Sequence, residues 1–65
     1  MNITVNGKHE SVSTDTIATY IHDHGINPKA LVVEHNGQVI GSDHWDQTLL
    51  REGDQLELLS FVGGG

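Results

Sequence analysis

The sequence contains no cysteine, one proline, and one each of phenylalanine, tryptophan and tyrosine among 65 residues. Without cysteine the chain has no disulfide framework and no thiolate to act as nucleophile or metal ligand. With so few aromatics and so short a chain, one small core is all that can form. A domain of this size buries only about 60% of the surface exposed by its unfolded chain and is marginally stable on that account. Basic residues are also scarce: Lys8, Lys29 and Arg51 stand against nine acidic residues, for a formal net charge of −6. That balance repels nucleic acid phosphates and anionic membranes, so neither is expected as a partner, and it favours a basic protein surface. No stretch approaches the length of a membrane span. Met1-Asn2-Ile3-Thr4 has neither the basic region nor the apolar core of a signal peptide, so a cytoplasmic location is expected.

Glycine is plentiful, and three of the eight close the chain in Phe61-Val62-Gly63-Gly64-Gly65. A glycine run packs nothing and loses the most backbone entropy when ordered, so it adds almost nothing to a fold. It does provide a slender thread of roughly 10 Å, at about 3.3–3.6 Å per extended residue, ending in a carboxylate with no Cβ beside it. Glycine ends also arise as disordered termini or linker scars. Here an apolar strand runs straight into the glycines without a spacer, which points to a terminus with a task and to a body that holds it.

Along the chain, Ile3 and Val5 alternate with polar residues as in a half-buried strand, and Asn6-Gly7 marks a two-residue turn. The return strand, Lys8 to Val12, is polar enough for a sheet edge, with Val12 its core residue. Thr16 is the best of four candidate caps for a short helix whose apolar stripe is Ile17, Tyr20, Ile21 and His24, with Asp15 near its positive end. Gly25 closes it, Ile26 folds back on the last turn, and Pro28 prevents resumption. Ala30 to His35, Asn36-Gly37 and Val39-Ile40 predict a second hairpin, with Leu31 and Val33 facing the core. Trp45 is expected against the core edge with its N–H bonded, Thr48-Leu49-Leu50 as a short strand or turn, and Arg51 to Asp54 as a turn. In the last strand, Gln55 to Val62, Leu56 and Leu58 share one face and Glu57, Leu59 and Phe61 the other. A single helix covers one face of a small sheet, so Leu59 and Phe61 are expected as an exposed apolar patch that docks a partner, unless a β-bulge turns Phe61 inward. Residues 1–65 thus read as one α+β domain, a mixed sheet of four to five strands packed on one helix.

The Asp15-Thr16-Ile17 helix start, the Val33-Glu34 strand, the Trp45 segment and the Glu52-Gly53-Asp54 turn carry a resemblance, and the Phe61-Val62-Gly63-Gly64-Gly65 terminus carries it above all. Over its whole length the chain resembles the ThiS family of sulfur carriers of thiamine biosynthesis, within the ubiquitin-like β-grasp superfamily. The resemblance implies first and last strands side by side at the sheet centre and a flexible C-terminal glycine tail, 63–65, that protrudes. Many members end in two glycines; the third here shifts the reactive carboxylate to Gly65.

The resemblance also implies a carrier rather than an enzyme. A terminal carboxylate, with a pKa of about 3.3–3.7, is ionised and a poor electrophile, so it must be activated. In the family scheme a ThiF-type adenylating enzyme uses ATP and Mg to join AMP to the Gly65 carboxylate. A persulfide sulfur, drawn from cysteine by a cysteine desulfurase, displaces AMP to leave a thiocarboxylate, which a ThiG-type thiazole synthase accepts. Gly63 and Gly64 enter the partner active sites, and Leu59, Phe61 and Val62 are the docking candidates. No catalytic residue, metal or bound cofactor is expected in the carrier itself. His22 and His24 invite a metal reading, but positions two apart on a helix do not face each other. Glu52 and Asp54 are better explained by turn chemistry than by catalysis. Open alternatives are a sulfur carrier for molybdopterin or tRNA thiolation, a ubiquitin-like modifier, and a plain β-grasp interaction module.

Overall fold

In the computed structural model, which describes residues 1–61, five strands and one α-helix follow the expected order. They are β1 (Asn2–Val5), β2 (Lys8–Ser11), α1 (Ile17–Asp23), β3 (Leu31–His35), β4 (Gln38–Ile40) and β5 (Gln55–Ser60), with 3-10 turns at Pro28–Ala30 and Ser42–His44. The sheet order is β2-β1-β5-β3-β4, with β1 and β5 parallel and the other pairs antiparallel. The last strand therefore lies in the middle beside the first, the β-grasp arrangement. Val62, Gly63, Gly64 and Gly65 lie outside the described residues.

Local chemistry explains each boundary. Asn6-Gly7 and Asn36-Gly37 both take positive φ, 51° and 82° in the first pair and 52° and 85° in the second, as a hairpin turn matched to strand twist requires. Three boundaries differ from the sequence reading. β2 ends at Ser11, although the Val12 N–H still donates to the Met1 carbonyl, the Met1 ammonium donates to the Val12 carbonyl, and the Val12 side chain packs on the core. Ala30 belongs to a 3-10 turn started by Pro28 and capped by Asn27, so β3 begins at Leu31. β5 ends at Ser60.

At the helix start, Thr16 Oγ1 accepts from the Thr19 N–H, while the Ile17 and Ala18 N–H groups donate to the Thr48 and Trp45 carbonyls. The three orphan donors of the first turn are thereby satisfied. At the other end Gly25 N–H bonds the His22 carbonyl and Ile26 N–H bonds the Ile21 carbonyl, a Schellman closure with Gly25 at φ 64°. His24 departs from the expected apolar stripe. It is the exposed C-cap residue, its Nδ1 is bonded to the Tyr20 carbonyl, and its ring is stacked on Tyr20 at 3.9 Å between centroids. The helix is too short for a fourth buried position.

Ile17, Tyr20 and Ile21 close over Ile3 and Val5 of β1, Leu31 and Val33 of β3, and Leu56 of β5, with Trp45 and Leu50 sealing the rim. Trp45 is buried and its Nε1–H donates to the Ile40 carbonyl at 2.9 Å, as expected. The Tyr20 hydroxyl donates to Glu10 Oε1 at 2.8 Å. Burial, then that bond and the Glu10 charge, push the phenol well above its ordinary pKa, so it stays a donor.

β5 is held from both sides by asparagine side chains that stand in for peptide groups. β1 stops at Val5, yet the Asn6 N–H still bonds the Leu56 carbonyl, and the Asn6 amide continues the ladder: Oδ1 accepts from the Leu58 N–H at 2.8 Å and Nδ2 donates to its carbonyl at 3.3 Å. On the other side the Asn36 N–H bonds the Gln55 carbonyl, and Asn36 Oδ1 accepts from the Gln55 N–H at 2.9 Å. Asn36 Nδ2 reaches Asp54 Oδ1 at 3.1 Å. The other carboxylate oxygen of buried Asp54 accepts from His35 Nε2 at 2.7 Å and from the Arg51 N–H at 2.9 Å. Burial by itself would raise the Asp54 pKa. The bonds from His35, Arg51 and Asn36, with the His35 charge, outweigh it and hold the carboxyl below its usual range.

Two outcomes are expected. Asn36→Ala should lower the unfolding free energy in urea titrations by about 2–3 kcal/mol, through lost hydrogen bonds and a Cβ in the left-handed region. Asn36→Gly should fall between it and the wild type. For Asp54, a folded pKa below the unfolded one gives stability that is present above the unfolded value and lost as pH falls through the folded one. Asp54→Asn should therefore be less stable than wild type at about pH 7, and the difference should shrink as pH falls below about 4.

Candidate functional site

The register of β5 assigns every outward side chain. Pairing of Val33 with Leu58 and of Val32 with Leu59 puts Leu56 and Leu58 on the helix side and Glu57, Leu59 and Phe61 on the opposite side. Leu56 is fully buried and Leu58 packs on the core, while Leu59 is 54% and Phe61 52% exposed. The pairing stays regular through Leu31 and Ser60, so no bulge turns Phe61 inward and the exposed patch is real. Half-buried Val32 lies directly across from Leu59, and Val39, 62% exposed, lies across from Glu34. Neither valine belongs to the patch expected from the sequence, which named Leu59 and Phe61 alone. Period-two alternation would have found Val39 once the pairing of β4 was known.

The patch adjoins the end of β5, where the Phe61 N–H is fixed to the Ala30 carbonyl at 3.0 Å. On the other side of the strand β1 has already turned away at Asn6, and among the described residues no strand lies beside Ser60 there. The chain thus approaches its last four residues with one backbone edge paired and the other open. The remaining site residues of the sequence reading, Val62, Gly63, Gly64 and Gly65, lie outside the described residues.

Four of the five histidines stand beside a carboxylate: His22, His24, His35 and His44. His22 is exposed with Nδ1 3.6 Å from Asp23, while His24 caps the helix, and their ring nitrogens do not converge. Among the described residues no group of three His, Asp or Glu is placed to hold a metal ion. Glu52 and Asp54 do serve the turn: Glu52 Oε1 accepts from the Asn2 N–H, and Asp54 ties Arg51 to the second hairpin. A cavity of about 480 Å³ beside this turn is lined by His35, Thr48, Arg51 and Asp54, whose His35–Asp54 pair is already committed to the fold. An apolar cleft of about 460 Å³ lies between Ile21, Ile26 and Trp45 at the far end of the helix. No helix among the described residues is long and apolar enough to cross a membrane.

The sulfur carrier protein ThiS of Bacillus subtilis is 32% identical over 63 residues, covering 94% of this chain and 96% of its own length. A thiazole synthase of Paramagnetospirillum magneticum is 27% identical over 66 residues, and the chain spans 20% of the length of that protein. The crystal structure of the thiamine biosynthesis protein ThiS from Geobacter metallireducens superposes with a TM-score of 0.86 at 33% identity over the whole of both chains. A model of the ThiS family matches residues 2–65, and with the topology described above this chain belongs to the ThiS family.

Proposed function

We propose that this chain is a sulfur carrier of thiamine biosynthesis that holds its sulfur as a thiocarboxylate on Gly65. The observation that carries the reading is the pinned central strand, which leads past a bare apolar patch directly into Val62-Gly63-Gly64-Gly65. Membership in the ThiS family and the name of the Bacillus subtilis relative support it. In this reading a ThiF-type enzyme, using ATP and Mg, lets a Gly65 carboxylate oxygen attack the α-phosphorus, releasing pyrophosphate and forming an acyl adenylate. A persulfide sulfur supplied through a cysteine desulfurase then attacks the acyl carbon and AMP leaves. A thiol then attacks the sulfur–sulfur bond at the outer sulfur, forming a new disulfide with it, and the thiocarboxylate leaves as the sulfur anion. The absence of cysteine is compatible with this, because the cargo rides on the acyl carbon.

The acceptor in this reading is a ThiG-type thiazole synthase. Its support is the thiazole synthases that contain a segment similar to this whole chain. Gly63 and Gly64 offer no side chain to block a narrow active-site slot or the nucleophile's approach. Ordering them costs affinity, so binding energy has to come from the folded body, with Leu59, Phe61, Val62 and the acidic surface as its sources. In this reading the carrier works in the cytoplasm, alongside the adenylating enzyme and the desulfurase.

The test is intact-mass analysis after incubation with ATP, Mg, the adenylating enzyme, the desulfurase and cysteine. Replacement of one oxygen by sulfur is expected in the wild type and not in a variant lacking Gly65; conversion of both, or of neither, rejects the assignment. Leu59→Ser with Phe61→Ser should raise the KM of the adenylating enzyme for the carrier roughly tenfold or more, as loss of apolar anchors does. The same pair should move the urea midpoint little, since half-exposed positions contribute within about 0.5 kcal/mol.

A further inference from the structure

The outer face of the sheet carries a contradiction that the fold does not resolve. Glu34 of β3 and Glu57 of β5 are directly opposite each other in the register. Cross-strand partners have Cβ atoms about 4.5–5.5 Å apart, and like charges there destabilise a sheet. Nothing nearby offsets them. The four ion pairs among the described residues all involve a histidine, and none includes Glu34 or Glu57. The three cations are elsewhere: Lys8 is opposite Val5 on the helix-side register of β1 and β2, Lys29 sits in the 3-10 turn before β3, and Arg51 lines the cavity beside Asp54. Toward the end of β5 the neighbours are apolar, with Val39 opposite Glu34, and Leu59 and Val32 forming the next row toward Phe61, while polar Gln55 precedes Glu57 on the same face. An unneutralised acidic pair thus borders a bare apolar patch at the centre of the sheet.

We infer that Glu34 and Glu57 together seat one arginine of the protein that docks on this face while the terminus is being activated. A planar guanidinium has the fork geometry to bond two neighbouring carboxylates at once, which an ammonium point charge does not. Leu59, Phe61 and the two valines border the seat on the side of the chain end and exclude water there, which strengthens the pair. The net charge of −6 adds steering toward a basic surface, but steering acts over the whole molecule, whereas the seat is local. The inference rests on the carrier reading and adds to it what selects the partner: the acidic pair supplies specificity and the apolar residues supply area.

The experiment uses the full chain and its adenylating enzyme. A Glu34→Gln/Glu57→Gln double variant keeps side-chain size and removes both charges. Its thermal midpoint is expected to rise, because repulsion is relieved, while its KM for activation rises roughly tenfold with kcat unchanged. Raising salt from about 50 to about 300 mM should increase the wild-type KM more steeply than that of the variant. Asp43→Asn/Asp46→Asn changes net charge equally at exposed positions in the loop after β4, and should leave KM within about twofold if the effect is local. The inference is overturned if the Glu pair variant is activated as efficiently as wild type, if the loop variant is impaired as strongly, or if the Glu pair variant is less stable. If wild type is converted in any of these cases, the carrier reading stands without the acidic seat; if wild type is not converted at all, both fall.

Discussion

The structure depends on the placement of its last strand between two hairpins that are each closed by an Asn-Gly turn. A parallel pair such as β1 and β5 cannot be joined by a tight turn, so everything between them serves as the crossover, and α1 is the part that covers the sheet. The turn asparagines do double duty. Their left-handed backbone reverses the chain, and their side chains supply the peptide-like groups that the departing strands no longer provide. Asn6 reaches Leu58 across 52 positions of sequence and Asn36 reaches Gln55 across 19, so the two ends of the molecule are knit at the sheet centre. Because the register of β5 is set at Gln55, Leu58 and Phe61, so is the point from which the chain continues into Val62-Gly63-Gly64-Gly65.

One strand consequently divides two tasks between its faces. Leu56 and Leu58 help close the core, and Leu59 and Phe61 add nothing to it because the single helix lies on the other side. With a core of about ten side chains the domain has little stability to spare, and the apolar area left on the outer face is a sizeable part of what it could have buried. Leaving it bare is intelligible when another protein covers it. On the helix side of the sheet the polar side chains serve the fold: Tyr20 bonds Glu10, His35 bonds Asp54, and His24 bonds the end of the helix. The working group in the carrier reading is a backbone carboxylate, which needs presentation rather than a catalytic neighbour.

The amino-acid pattern alone was enough for the elements and for the sense of the last strand. Asn-Gly turns, the Thr16 cap and the Gly25 closure act through neighbours within about four residues, and alternation in β5 follows from a period that needs no partner. That Leu59 and Phe61 would face away from Leu56 was therefore legible, as was the burial of Trp45 with its N–H bonded. Pairing decided the rest. Whether Phe61 stayed outward depended on an unbroken ladder with β3, and His24 fell off the apolar stripe because the Schellman closure came one residue after it. The facing of Glu34 and Glu57, the addition of Val32 and Val39 to the patch, and the reach of Asn6 and Asn36 into β5 are relations between residues distant in sequence. They exist only once the strands are aligned, because a local pattern says which way a side chain points and not what stands across from it.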